Sequence, residues 1–515
     1  MASPDVIFIV LDTLRADRLG CYGNARAITP NMDVLAGEGA LFAQAVSPAQ
    51  WTIPSHASLF TGLYPTGHGV TQYQQRLSPD IPTLAEVVHA QGYETVGVSN
   101  NGLIGVFPNG LTRGFETFYN YGGATPERLR GSYPSAIEPI LDRWMRLVAR
   151  ISYPIQSYLS QSDLALRLLL TSWATPVWSR VAHTKGQNER SVADLCRFLR
   201  RRDRKEPARP LFLFLNLMET HLPLWPPRKY IERVSPGLIE NRRAQEIMRA
   251  WRRDAYRWEA PLDPPLTEDE RRVIDALYNA EVAYQDQFLG DLFSLLRERA
   301  RSEETLTILV SDHGQGLGEH GFFGHSFVAY QELVHVPLVI HWPDTVTPSR
   351  IQAPVSTRRV FHTVLDAVGS SCSESSGLSH AAIHEQSLLG CGEDDEHHAY
   401  TEIYPALHSL KVMQRRQPDM IDELGIRSVR RALVHGGRKL IRIDGVPKEL
   451  YDLRQDPQEL NNLSKCDHRG LAALNELFDR DKEDEMCRVE ERAATRAEII
   501  EEKLMKRLRD LGYID

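Results

Sequence analysis

Five short apolar runs punctuate the first 345 residues: VIFIVL (6–11), ETVGVS (94–99), LFLFLNLM (211–218), TLTILVS (305–311) and VPLVIHW (336–342). They lack the strict polar alternation of a half-exposed strand, so each reads as a strand buried on both faces. Helical patterns lie between them. TPNMDVLAGEGALF (29–42) sets Met32, Leu35 and Ala36 on one stripe, TLAEVVHAQGY (83–93) carries its Gly at the stop, and residues 270–298 predict a long amphipathic helix. Residues 345–365 add one more strand–helix segment. This alternation predicts an α/β fold: a large, mostly parallel sheet flanked by helices.

The rhythm breaks twice, at 120–195 (aromatics, Leu and Arg) and at 228–268 (Arg and Trp). Both stretches read as helical insertions. Beyond residue 400 the pattern changes. RRALVHGGRKLIRI (430–443) and ELYDLRQDP (449–457) predict a small antiparallel sheet, and the charged tail from Asp479 predicts a helix. The expected division is a large α/β domain over 1–395 and a smaller α+β subdomain over 396–515.

Composition narrows the function classes. Apolar residues make up 42% and charged residues 25%, ordinary for a globular chain, which excludes wholesale disorder and a coiled coil. Lys and Arg number 60 against 68 Asp and Glu, a net charge of -8, which argues against nucleic acid as a binding partner. Six scattered cysteines form neither a disulfide framework nor a CxxC knot and fit a reducing compartment. The run from Val6 to Leu11 is too short for a signal segment, and no window approaches the roughly 18 apolar residues of a membrane span. A cytoplasmic address, or the cytoplasmic face of a membrane, is expected. The insertion at 120–195 is read as a helical lid, with contact to membrane or lipid as its alternative.

In open α/β sheets ligands bind beyond the carboxyl ends of the strands. Four apolar runs are followed there by polar side chains: Asp12, the pair Asn100 and Asn101, Glu219 with His221, and Asp312 with His313. Asp-His after a buried strand, running into GQGLGEHG, is the most specific of these. WTIPSHASLFTGLYP (51–65) adds a helix whose first turn holds Pro54. Thr52 lies just ahead of it, near unpaired N–H groups, where a hydroxyl either caps the helix or attacks an ester. Arg15 and Asp17 read as a local ion pair.

Taken together these segments resemble the sulfatase family within the alkaline phosphatase superfamily. The resemblance rests on IFIVLDTLRADRLGCYG (7–23), TPNMDVLAGEGALF, WTIPSHASLFTGLYPTGHGV (51–70), LMETHLP (217–223), SDHGQGLGEHGFFGH (311–325), ELVHVPLVIHWP (332–343) and KLIRIDGVPKELYDLRQDPQELNNL (439–463). It implies a divalent metal held by Asp12, Asp312 and His313, with Thr52 at the nucleophile position and as a further ligand. It places His221 against the anionic group of the substrate. His325 falls where many sulfatases carry Lys and the phosphoethanolamine-transferase relatives carry His. Asn100 is a candidate substrate contact. Glu219, His221 and His325 could complete a second metal site, and His56 could orient Thr52, bind an anion or simply pack.

The departures carry the chemistry. Sulfatases convert Cys or Ser at the nucleophile position to formylglycine, and Thr52 cannot yield that aldehyde, so no formylglycine is expected. His56 replaces the motif's Arg, Thr13 the second Asp, and His313 an Asn. A sulfated Thr lacks the formylglycine exit, whereas a phosphorylated Thr can be released by attack at phosphorus. Expected is a hydrolase of phosphate diesters or monoesters, or a phosphoryl-type transferase. A sulfuric ester hydrolase and a silent anion-binding relative are the alternatives. The mixed oxygen and nitrogen donors favour Zn or Mn over Ca or Mg, at one site, with a second left open.

Overall fold

The computed structural model describes residues 3–72, 74–122, 129, 185–204, 209–254, 257–258, 260–369, 378–391 and 397–480. Most of the insertion at 120–195 and the tail after Arg480 lie outside the described residues, so the lid and terminal-helix expectations do so too.

The chain order of strands is β1 (Asp5–Leu11), β2 (Ala40–Val46), β3 (Glu94–Ser99), β4 (Thr117–Asn120), β5 (Leu211–Leu217), β6 (Thr305–Ser311), β7 (Gly316–Leu317), β8 (Phe323–Gly324), β9 (Leu338–His341) and β10 (Ser349–Ser356). Eight of them form one sheet in the order β10-β2-β9-β6-β1-β5-β3-β4, and β7 pairs with β8. All the expected runs are strands, and the segment after residue 345 supplies β10 and the helix Val360–Ala367. The sheet is parallel except for β9, which runs antiparallel to both β2 and β6. An apolar run carries no directional signal, so this reversal was not legible in the sequence.

Successive residues of the central strands point to opposite faces. Val6, Phe8 and Val10 join Phe212, Phe214 and Ile308 on one face, with Ile53, Ala57 and Phe60 of the helix Thr52–Thr61. Ile7, Ile9 and Leu11 join Leu213, Leu215 and Leu309 on the other, with Leu195, Val282 and Leu289 from the helices Asn188–Asp203 and Glu268–Glu298. Burial on both sides is why these strands read as continuous apolar runs.

Two local expectations change. The helix expected over 29–42 stops at Glu38, and ALFAQAV forms β2 instead. A side chain on Gly39 would come within 2.5 Å of the Ile340 carbonyl, so glycine lets β2 lie against β9 there. The 228–268 insertion is helical as expected, with Arg228–Val234 and Arg242–Arg253 packed on the long helix. That long helix starts at a reciprocal cap between Thr267 and Glu270.

The C-terminal part holds β11 (His398–Ile403), β12 (Arg430–His435), β13 (Arg438–Ile443) and β14 (Val446–Asp452) in a four-stranded antiparallel sheet. Gly436 and Gly437, both at positive φ, make the tight turn between β12 and β13. The sheet docks through Glu402, whose amide donates to the Pro48 carbonyl and whose carboxylate accepts from the Thr66 amide. No described helix is long and apolar enough to cross a membrane.

Candidate metal centre and active site

The parallel register brings the strand ends together. Leu11 pairs with Leu217 and with Ser311, and Ser99 pairs with Asn216. The residues that follow these ends therefore share one edge of the sheet. Asp12, Asp312 and His313 meet there with ligand atoms within 4.8 Å of one another, all fully buried.

Each donor is oriented by a specific contact. The Asp312 Oδ1 accepts from the amides of Thr13 (3.1 Å) and His313 (2.8 Å), while its Oδ2 has no hydrogen-bond partner. The Asp12 Oδ2 accepts from the Asn101 amide at 2.7 Å, and its Oδ1 is likewise without a partner. The His313 Nδ1 donates to the Gly314 carbonyl at 2.9 Å. That leaves the Nε2 lone pair facing Asp312 Oδ2 at 3.4 Å and Asp12 Oδ1 at 3.8 Å. Thr13 adopts φ 64, a costly conformation for a β-branched residue, and this turn delivers its amide to Asp312.

The electrostatics point the same way. Burial and the charge of Asp12 push the Asp312 carboxyl well above the usual carboxylate range. Burial, with His325 close by, holds His313 well below its usual value, so its ring is neutral and able to donate a lone pair. Two orphaned carboxylate oxygens beside an imidazole lone pair form a donor set suited to a divalent cation.

Thr52 opens the helix Thr52–Thr61 and places Oγ1 3.5 Å from His313 Nε2. The hydroxyl thus belongs to the same buried group. His56 packs edge-on against Phe60 and Phe214 and shares its Nδ1 proton with the Thr52 carbonyl at 2.9 Å. Burial pushes it down to about 4, so it is neutral rather than an anion-binding cation. The rings of His325 and His313 lie 4.7 Å apart, and those of His221 and His325 5.1 Å apart. The His221 Nδ1 bonds the Leu222 carbonyl and the His325 Nδ1 faces the Gln315 amide oxygen, so Nε2 is the basic nitrogen of each.

Two sequence candidates are engaged elsewhere. Asn100 is fully buried and spends its side chain on Ser191, the Asn216 carbonyl and the Gln187 amide. Its neighbour Asn101 serves the centre instead. Both were visible after the strand, but only the turn decides which one faces Asp12. Glu219 accepts from Asn188 at 2.9 Å and faces Lys185, which bridges to Glu281 on the long helix. Among the described residues Glu219, His221 and His325 do not form a second three-ligand cluster. Sequence reasoning missed Thr220, whose hydroxyl donates to the Asp12 carbonyl, and Ser55, whose hydroxyl donates to the Asp312 carbonyl. A lone hydroxyl residue carries no signal of such a role.

The sequence profile of the sulfatase family matches residues 4–370, and that of the C-terminal region of N-sulphoglucosamine sulphohydrolase matches 318–475. Curated relatives include an arylsulfatase of Clostridium perfringens, 25% identical over 377 residues and covering 70% of this chain and 74% of that protein. Another is an N-acetylglucosamine-6-O-sulfatase of Bacteroides thetaiotaomicron, 24% identical over 494 residues (89% and 82%). The fold is similar to that of a phosphonate monoester hydrolase of Agrobacterium radiobacter, with a TM-score of 0.63, 21% identity and coverage of 94% and 96%. The enzymes of this family use a divalent metal, which the Asp12, Asp312 and His313 donor set can hold. With a profile spanning most of its length and that donor set at the ends of its parallel strands, this chain belongs to the sulfatase family of the alkaline phosphatase superfamily and is a hydrolase.

Proposed function

We propose that the protein cleaves phosphate or phosphonate esters with Thr52 as nucleophile. The observation that carries this reading is the Thr52 hydroxyl, buried and in the same group as Asp12, Asp312 and His313, at the position where a sulfatase needs a residue convertible to formylglycine. Asp12, Asp312 and His313 would hold one divalent cation, Zn or Mn by the chemistry of the donors, which supplies positive charge toward an alkoxide and the ester oxygens. The Thr52 oxygen forms a bond to phosphorus as the bond from phosphorus to the ester's alcohol breaks, and in a second step water attacks phosphorus, breaking the Thr52 O–P bond, so that phosphate or phosphonate leaves and the Thr52 hydroxyl is restored. His221 and His325 would accept a proton at Nε2 and, so protonated, donate it to the substrate's oxygens or to the departing alkoxide. Asn100 and Glu219 are left out of the reaction because their side chains are committed elsewhere.

The likeness to a phosphonate monoester hydrolase supports an anionic phosphorus ester as substrate. The names of the curated relatives favour a second reading, hydrolysis of sulfate esters. Parallel assays with aryl phosphodiester, aryl phosphonate and aryl sulfate separate the two, and a large preference for sulfate overturns the first. Thr52→Ala should lower kcat about 10³-fold or more while keeping bound metal. Thr52→Ser should retain part of the rate, and mass spectrometry of quenched turnover should find phosphate on Thr52. The same reading keeps 1–395 as the catalytic part and 396–515 as the C-terminal part. It also keeps the cytoplasmic address, for which the scattered spacing of the cysteines in the sequence is the support.

A further inference from the structure

The proposed reaction leaves unused a cavity of about 30 Å³ between the helices of the 228–268 insertion and the long helix Glu268–Glu298. Its lining includes Leu222, Ile247, Met248, Trp251, Leu277 and Phe323, each buried. Two of its three tryptophans present carbon there, because their polar ends are already engaged: Trp251 donates to Glu270 and Trp258 donates to the Trp251 carbonyl. Among the described residues Arg252 is the single charged member of the lining. The volume exceeds what one water needs, but a water inside would find few hydrogen-bond partners, so the space suits carbon.

Its position is tied to the reaction site by the chain itself. Leu222 directly follows His221, and Phe323 stands two residues before His325. Those two histidine rings are 5.1 Å apart, and Trp251 lies 4.6 Å from Phe323. His221 and His325 therefore share their two short segments with the lining residues Leu222 and Phe323.

We propose that this cavity receives the alkyl arm of the substrate, so that the enzyme selects esters carrying a compact apolar group over hydroxylated sugars. The proposal rests on the reading of the metal centre as an ester site given above. It deepens that reading by naming the substrate's non-reacting part.

The test is calorimetric titration of the full chain, loaded with Zn or Mn, with alkylphosphonic acids from methyl to pentyl. Each methylene that enters the cavity should tighten Kd by about fourfold until the arm fills it. The heat capacity change should grow more negative over the same range. Glycerol phosphate, whose arm is polar, should gain nothing over methylphosphonate. Met248→Phe should shorten the arm at which the gain stops, and Met248→Ala should lengthen it. The opposite shifts cannot both come from misfolding. A Kd that is flat along the series, absence of binding throughout, or an unchanged optimum in both variants overturns the proposal. Binding with the stated dependence but no turnover of any phosphorus ester removes the reaction class and leaves the cavity assignment standing. Turnover with no dependence on arm length does the reverse.

Discussion

Asp12 offers one oxygen to Asn101 and turns the other, unpartnered, toward His313. A carboxylate in that position gains its orientation from the amide and its stability from whatever positive charge shares the pocket. Asn101→Ala should therefore weaken metal affinity about 10- to 100-fold, measured by competition with a chelating dye, while far-ultraviolet circular dichroism stays unchanged. An affinity equal to wild type would show that Asn101 merely caps the turn at Leu103, to whose amide its carbonyl also binds. At this scale the sequence was partly legible. Asp12, Asp312, His313 and Thr52 stood out because each follows or opens an element at the ligand edge. His56 could be read three ways, and its edge-on contacts with Phe60 and Phe214 fit packing while its bond to the Thr52 carbonyl fits the orienting of Thr52.

The loop after β6 shows how an element is shaped to serve a ligand. Gly314 donates to the Leu333 carbonyl at 2.7 Å, and Gln315 donates to that of Glu332. A Cβ on Gly314 would stand 2.0 Å from the Glu332 carbonyl, a backbone atom that cannot swing away. Gly314→Ala should cost about 2 kcal/mol or more in denaturant unfolding and should also reduce metal binding, because it displaces His313 next door. A variant of unchanged stability would mean that the loop moves freely, which the paired backbone bonds argue against. The glycine was plain in the sequence as part of DHGQG, yet its reason lies in the short helix Gln331–Val334, distant in the chain. The same holds for Gly39, where a helix gives way to β2 because a backbone crosses close by.

At the scale of the whole molecule, the C-terminal sheet is fastened to the α/β part by buried charge. Lys439 of β13 pairs with Glu459 at 2.8 Å, and the Gln331 amide donates to the same carboxylate at 2.6 Å. Glu332, next in the chain, is buried with Glu319, Glu459, Arg15 and His320 around it. Burial, reinforced by Glu319 and Glu459, pushes it up to about 8 against the opposing pull of Arg15. An unfolded glutamate titrates at about 4.3, so between these values the folded chain holds a proton that the unfolded chain has lost. Stability from this group is thus fully present at low pH. It falls as pH rises toward 8, by up to about 1.4 kcal/mol per pH unit. The difference in unfolding free energy between the chelator-treated wild type and Glu332→Gln should follow that fall from pH 5 to 8 and level off above. A difference independent of pH would mean that Glu332 is ionised in the fold. The C-terminal antiparallel sheet itself was readable from its alternation and its Gly-Gly turn, but this charge cluster was not.

The sequence by itself determined the strands, their buried character and the chemistry waiting at their ends, because apolar runs and the residues that follow them are local properties. It also set at position 52 a threonine, a residue that cannot yield formylglycine. Tertiary structure alone decided which asparagine serves Asp12, that Glu219 turns toward Lys185, that β9 runs backwards, and that an apolar cavity lies beside His221. Those outcomes depend on partners far apart in the chain, as with the Thr13 amide and Asp312, 299 residues distant. No local pattern encodes such a meeting; it exists only once both faces of the sheet are packed.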